Sequence, residues 1–175
     1  MSTDRSVIEP PSGLSREIGM MIACLEEVRA QTIGVIADMT KYELCRRLMP
    51  TFHQPGGLVL HLAECEFWWI PVVYGHHQIT DEDRKLAHLD DSTESDFALK
   101  DIGAEECIET LNTVHQRALE HLRPLADSDL DRVVSFAAHP TRNQGSLRWI
   151  LHHLIDHESH HRGQISMIKR VMREG

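Results

Sequence analysis

The chain is short of basic residues. Its 18 Lys and Arg face 27 Asp and Glu, a net charge of −9 with histidine neutral. That balance argues against nucleic acid and anionic membrane as partners, because neither a phosphate backbone nor a headgroup layer finds a basic surface to meet. Cysteine is sparse as well. Cys24, Cys45, Cys65 and Cys107 lie far apart, so there is no CxxC knuckle and no redox pair. They are expected to be reduced and mostly buried, as in a cytoplasmic protein. Long apolar runs are missing too. The strongest patch, Phe67 to Tyr74, is interrupted by Pro71 and is too short to span a bilayer. The opening MSTDRSVIEPPSG has neither the apolar core nor the cleavage pattern of a signal peptide. No internal repeat and no low-complexity tract is visible.

What is present is an ordinary globular composition, 41% hydrophobic and 26% charged over 175 residues, enough for one self-sufficient core. Residues 1–13 read as a flexible lead-in and 14–175 as a single domain. Apolar residues at Leu14, Ile18, Met21, Leu25, Val28, Val35 and Met39 alternate three- and four-residue steps, with Thr32 filling the gap, which predicts a long first helix. After a Pro/Gly connector, Leu58, His61, Cys65, Trp68 and Val72 form the stripe of a second helix, which Pro71 should kink or end. Residues 76–103 are acidic and read as an exposed crossover with one short helix near 81–88. Ile108, Leu111, His115, Leu119 and Leu122 mark a third helix over 104–123. Val133, Val134 and Phe136 suggest a short extended piece. Ser146 is placed to cap a last helix over 146–173, with Leu147, Ile150, Leu154, His161, Ile165, Ile168 and Met172 inward. The expected fold is all-α, a four-helix bundle with a long crossover between helices two and three.

Histidine is the excess residue: there are 13, and five fall between positions 152 and 161. At about 100° per residue, His157 and His161 lie about 40° apart and one turn from each other, aimed at the core. His153 is one turn earlier and further round, while His152 and His160 are bystanders. An i, i+4 histidine pair presents two imidazoles to one ion, a spacing that suits zinc or nickel. The pair needs a third ligand from another helix. His61, central in the stripe of helix two, is the best candidate, since a buried imidazole needs a hydrogen bond or a metal to offset its desolvation. Taken alone, His61 or His115 reads more simply as a hydrogen-bonded core residue. Cys65, four residues after His61, is either a fourth ligand or a small apolar filler. Trp68 and Trp69 read as core. His157-Glu158-Ser159-His160-His161 also fits the HExxH pattern of zinc peptidases. Its extended companions are missing, because Gln164 and Met167 stand where Gly and His are needed, and no sheet is foreseen to hold a peptide.

The segment HLAECEFWW at 61–69, the His-rich last helix and HHRGQI at 160–165 resemble the DinB-like (DinB/YfiT) superfamily, over about residues 14–173. The resemblance implies a four-helix bundle, often a homodimer, holding zinc or nickel on three histidines, here His61, His157 and His161. It also implies an enzyme of small molecules, a transferase or isomerase using a low-molecular-weight thiol such as mycothiol or bacillithiol, or a hydrolase. In that reading the metal activates the thiol or a water, and His153 or Glu158 shuttles the proton. The competing expectation is a metal-binding stress or scaffold protein without turnover.

Overall fold

The computed structural model describes residues 7–89, 101–137 and 141–174. Four long helices carry the architecture: α1 (Arg16–Ile36), α3 (Pro55–Phe67), α5 (Ala104–Leu122) and α6 (Leu147–Glu174). They pack as a bundle in which α3 lies along α5 and α6, and α1 along α6. The short helices α2 (Lys41–Cys45) and α4 (Asp81–Leu86) sit in the connections. Each short helix opens on a capping box. Thr40 and Thr80 accept from the backbone N–H groups of Glu43 and Asp83, whose carboxylates accept in return from the Thr backbone N–H groups. Pro55 occupies the first turn of α3, where its missing N–H is no loss. Ser146 caps α6, its hydroxyl accepting from the Trp149 N–H at 3.2 Å.

Three expectations need adjustment. Pro71 does not end the second helix. The chain runs on as a π-helical turn over Trp68–Tyr74, in which the Gly75 N–H reaches the Ile70 carbonyl five residues back at 2.9 Å. The wider turn accommodates a residue that has no N–H to give and would clash in a tighter one. The extended piece near Val133 has a partner: β1 (Val133–Ser135) pairs antiparallel with β2 (Gln144–Ser146), placing Val134 opposite Gly145. Finally, the inward stripe of α1 shifts by one residue at three positions. Ile18, Leu25, Thr32 and Met39 are buried as expected, and only at Met21, Val28 and Val35 does the buried position shift by one, to Ile22, Arg29 and Ile36. The middle of the crossover, residues 90–100, lies outside the described residues.

The apolar interior falls into two clusters. One gathers Ile18, Ile22, Leu25, Tyr74, Leu122 and Leu154, and the other Ile36, Leu60, Phe67, Leu111, Val114 and Ile165. Reading along each helix, the break between them falls near Arg29, Glu66, His115 and Glu158, all buried. The bundle therefore has a polar waist, and the histidines of α6 lie at the same level.

Candidate metal centre

His61 and Cys65 are one turn apart on α3; His157 and His161 are one turn apart on α6. Packing of α3 against α6 brings the two pairs face to face. The ring centroids of His61 lie 5.1 Å from His157 and 5.3 Å from His161. Ligand atoms of His61, Cys65 and His157 all lie within 4.8 Å of one another. The Nε2 atoms of His157 and His161 are 3.0 Å apart, and the Cys65 thiol is 3.5 Å from His61 Nε2. All four residues are half-buried.

Hydrogen bonds orient the rings. His161 Nδ1–H donates to Gln164 Oε1 at 2.7 Å, which leaves its Nε2 lone pair turned toward His157. His61 Nδ1 lies 3.3 Å from the Glu64 carboxylate. Outer partners of this kind fix the tautomer of a ligating imidazole. Burial, followed by the neighbouring rings of His161 and His61, pushes His157 down to about 3. Burial outweighs the Gln164 bond at His161 and holds it at about 4. Both rings are neutral near pH 7, the form that offers a lone pair to a cation. At His61 burial acts in the same direction, but Cys65 and Glu64 overcome it and raise the ring to about 10.

The donor set fits a borderline-soft divalent ion. Imidazole and thiol groups are the ligands that zinc and nickel sites use. Two ligands at about 2.1 Å in a tetrahedral shell lie about 3.4 Å apart, and the His157–His161 pair is already close to that separation. The sequence pointed to three histidines with Cys65 as a possible fourth ligand. In the structure Cys65 belongs to the tightest group, and His161 joins through His157.

The other candidates are placed differently. His153 stacks on Trp149 at 5.0 Å, meets the edge of Trp69 at 5.5 Å and lies 5.7 Å from the His157 ring. Trp149 in turn stacks on Phe136, so an aromatic wall runs from the β-hairpin to the histidines. Trp69 is buried as expected, whereas Trp68 is only half-buried. Glu158 is not brought to the cluster. It is 1% exposed on the central stripe of α6, and Arg29 of α1 binds both its oxygens, at 2.8 to 3.1 Å. With both oxygens engaged by that guanidinium, Glu158 is not placed as the general base that the HExxH reading needs. The hairpin strands, three residues each, also fall short of a peptide-binding edge. His115 is the hydrogen-bonded core residue expected, donating to Glu66 at 2.7 Å. Sequence reasoning missed Arg29 and Glu66 altogether.

A cavity of about 330 Å³ lies beside Gln164, and none of the four clustered residues is in its wall. Gln164, the partner of His161, forms part of its wall with Phe52, His53, Leu58, Met167 and Ile168. Its lining is mainly apolar and holds no Lys or Arg.

Comparison with known proteins gives the family. The mycothiol-S-transferase family profile matches residues 20–174. The chain belongs to the mycothiol-S-transferase family. Among solved structures, a DinB-like protein from Bacillus cereus ATCC 10987 matches with a TM-score of 0.65 at 18% identity, over 87% of this chain and 91% of the other. That likeness supports the DinB-like bundle as the fold. No curated protein gives a significant match. The matched span of the family includes both helices of the centre, so His61, Cys65, His157 and His161 all fall inside the mycothiol-S-transferase region. No helix among the described residues is long and apolar enough to cross a membrane.

Proposed function

We propose that the chain is a divalent-metal-dependent S-transferase that joins a small-molecule thiol, mycothiol by family, to an electrophilic carbon. The observation that carries the reading is the meeting of two neutral imidazoles of α6 with His61 and Cys65 of α3 inside the region that matches the family. His61, His157 and His161 are the assigned ligands of zinc or nickel, with Cys65 beside them. When bound, such an ion lowers the pKa of a thiol placed against it, so that the sulfur is a nucleophile near neutral pH.

The residues of the chain do the rest. Gln164 and Glu64 hold the rings of His161 and His61 in their tautomers. His153, stacked on Trp149 beside His157, takes up the thiol proton. The cavity at Gln164 suits an electrophile with an apolar body, since Phe52, Leu58, Met167 and Ile168 form most of its wall. In the reaction the sulfur–carbon bond forms as the carbon–leaving-group bond breaks. The leaving group departs with the electron pair, and the thiol proton passes to His153.

The test uses untagged protein loaded with zinc or nickel, mycothiol, and 1-chloro-2,4-dinitrobenzene as the electrophile. Thioether should appear, at a rate reduced at least about 100-fold in His157→Ala, consistent with loss of metal activation. His153→Gln should lose about 10- to 100-fold in kcat with metal content unchanged. Tight metal binding with no turnover across a panel of thiols and electrophiles would contradict the enzyme and support a binding or scaffold role.

A further inference from the structure

Arg29 is the most heavily engaged buried side chain in the polar waist. Its Nε and Nη2 donate to Glu158 of α6 at 2.8 to 3.1 Å, and Nη2 also donates to Glu66 of α3 at 2.8 Å. Its Nη1 donates to the Leu111 carbonyl of α5 at 3.2 Å. Glu66 continues the network to His115 of α5, whose Nε2 approaches Glu26 of α1 at 3.3 Å. One connected set of hydrogen bonds therefore touches all four long helices. The two carboxylates it grips have a particular place in the sequence. Glu66 follows Cys65, and Glu158 follows His157.

We propose that Arg29 is a positioning residue for the metal centre: by gripping Glu66 and Glu158 it fixes the rotation and spacing of α3 and α6, and thereby the meeting of His61 and Cys65 with His157 and His161. The inference rests on the metal-centre reading above. Neighbouring residues on a helix are about 100° apart, so each glutamate faces Arg29 while the ligand beside it faces the opposite helix. Fixing one therefore fixes the other. The tolerance is narrow. Metal–ligand distances hold to about 0.2 Å. A rotation of about 10° moves a side-chain tip at the helix rim, about 5 to 6 Å from the axis, by about 1 Å. Apolar packing alone is a weak source of such precision, because hydrophobic contacts are non-directional.

Stability does not account for the network. Three buried charges carry a desolvation penalty, and apolar residues of similar volume in such a place often give an equally or more stable protein. The bidentate fork of Arg29 supplies fixed geometry that Lys does not. Burial would lower the guanidinium's affinity for its proton, but Glu66 and Glu158 raise it further, so the charge stays in place.

The experiment measures zinc affinity of the untagged, metal-free chain by chelator competition, alongside urea unfolding. Two variants are compared with wild type: Arg29→Lys, and the triple Arg29→Met, Glu66→Leu, Glu158→Leu, which removes all three charges together. The triple variant should unfold at the same urea concentration as wild type or higher, yet bind zinc about 10- to 100-fold more weakly, the range expected when outer partners are lost. Arg29→Lys should fold and bind at least about threefold more weakly. Zinc affinity within twofold of wild type in either folded variant overturns the positioning role. If the triple variant does not fold, Arg29→Lys decides. Failure of the wild type itself to bind zinc would overturn the metal-centre reading and this inference with it. Tight binding by wild type and variants alike would overturn this inference alone.

Discussion

At the scale of single residues, the proposed ligands and the carboxylates that Arg29 grips occupy adjacent positions in the sequence. His157 is half-buried with its Nε2 3.0 Å from that of His161, whereas Glu158 is fully buried against Arg29. Removing Arg29 outright is predicted to be severe. Arg29→Ala leaves Glu66 and Glu158 buried without their cation. It should cost about 3 to 5 kcal/mol in urea unfolding, and a loss below 1 kcal/mol would show that water or rearrangement compensates. Burial raises the Glu66 carboxyl, but Arg29 and His115 outweigh it and hold the group at about 2. These charges were hard to read from the sequence because the stripe was traced on hydrophobicity. In α1 that reading settled on Val28 and passed over Arg29. In α6 the signal was available: Glu158 continues the Leu151, Leu154, Ile165, Ile168 register, and a carboxylate there demands a buried cation on a facing helix. The histidines were legible because an i, i+4 pair has geometric meaning without knowledge of the partner helix. Cys65 entered the group for a reason the sequence could not supply, namely the approach of α3 to α6.

At the scale of elements, glycine substitutions separate free helix surface from crowded turns. Gly34, exposed in the last turn of α1, has nothing within 4 Å of where a Cβ would stand. Gly34→Ala should stabilise by about 0.5 to 1 kcal/mol through helix propensity. Gly75, which closes the π-helical turn, is the reverse case: a Cβ there would lie 2.5 Å from His121 Nδ1 and 2.6 Å from the Pro71 carbonyl oxygen. Gly75→Ala should destabilise by about 1 to 3 kcal/mol. Equal thermal melting of the two variants would contradict both placements. The long helices were readable from periodicity and the start of α6 from Ser146, whereas α2, inside the expected connector, was not. The π-turn was not. Pro71 identifies a fault in an α-helix, but the packing of Trp69, Ile70 and Tyr74 into the core decides that the chain widens rather than stops.

At the scale of the whole molecule, α6 is tied back to the start of the bundle. Arg173 donates to Glu43 at 2.7 Å and to Asp38 at 2.8 Å, and Lys169 also pairs with Asp38. Arg173 first, then Lys169, hold Asp38 at about 2; Arg173 and the Thr40 backbone do the same for Glu43. Burial would raise Asp83, but His77 and the Thr80 backbone hold it at about 2 as well. These folded-state values lie below the ordinary carboxylate value of about 4. Their contribution to stability is therefore present above about pH 4 and is lost as pH falls through about 2. The urea midpoint of the metal-free protein should drop between pH 4 and pH 2, and Arg173→Gln should make that drop shallower. An unchanged acid limb in the variant would remove these pairs from the account.

The bundle and its approximate helix spans followed from the sequence, as did the positions of the histidines. The division of the interior into two apolar clusters with a charged layer between them did not, because it depends on which helices face which. The central claim is that this waist holds a metal ion, and metal analysis of untagged protein tests it most directly. The wild type should carry close to one zinc or nickel ion per chain, with occupancy falling below about a tenth in a folded His157→Ala, His161→Ala double variant. Far less than one ion in the wild type after exposure to either metal, or equal occupancy in the double variant, would contradict the claim.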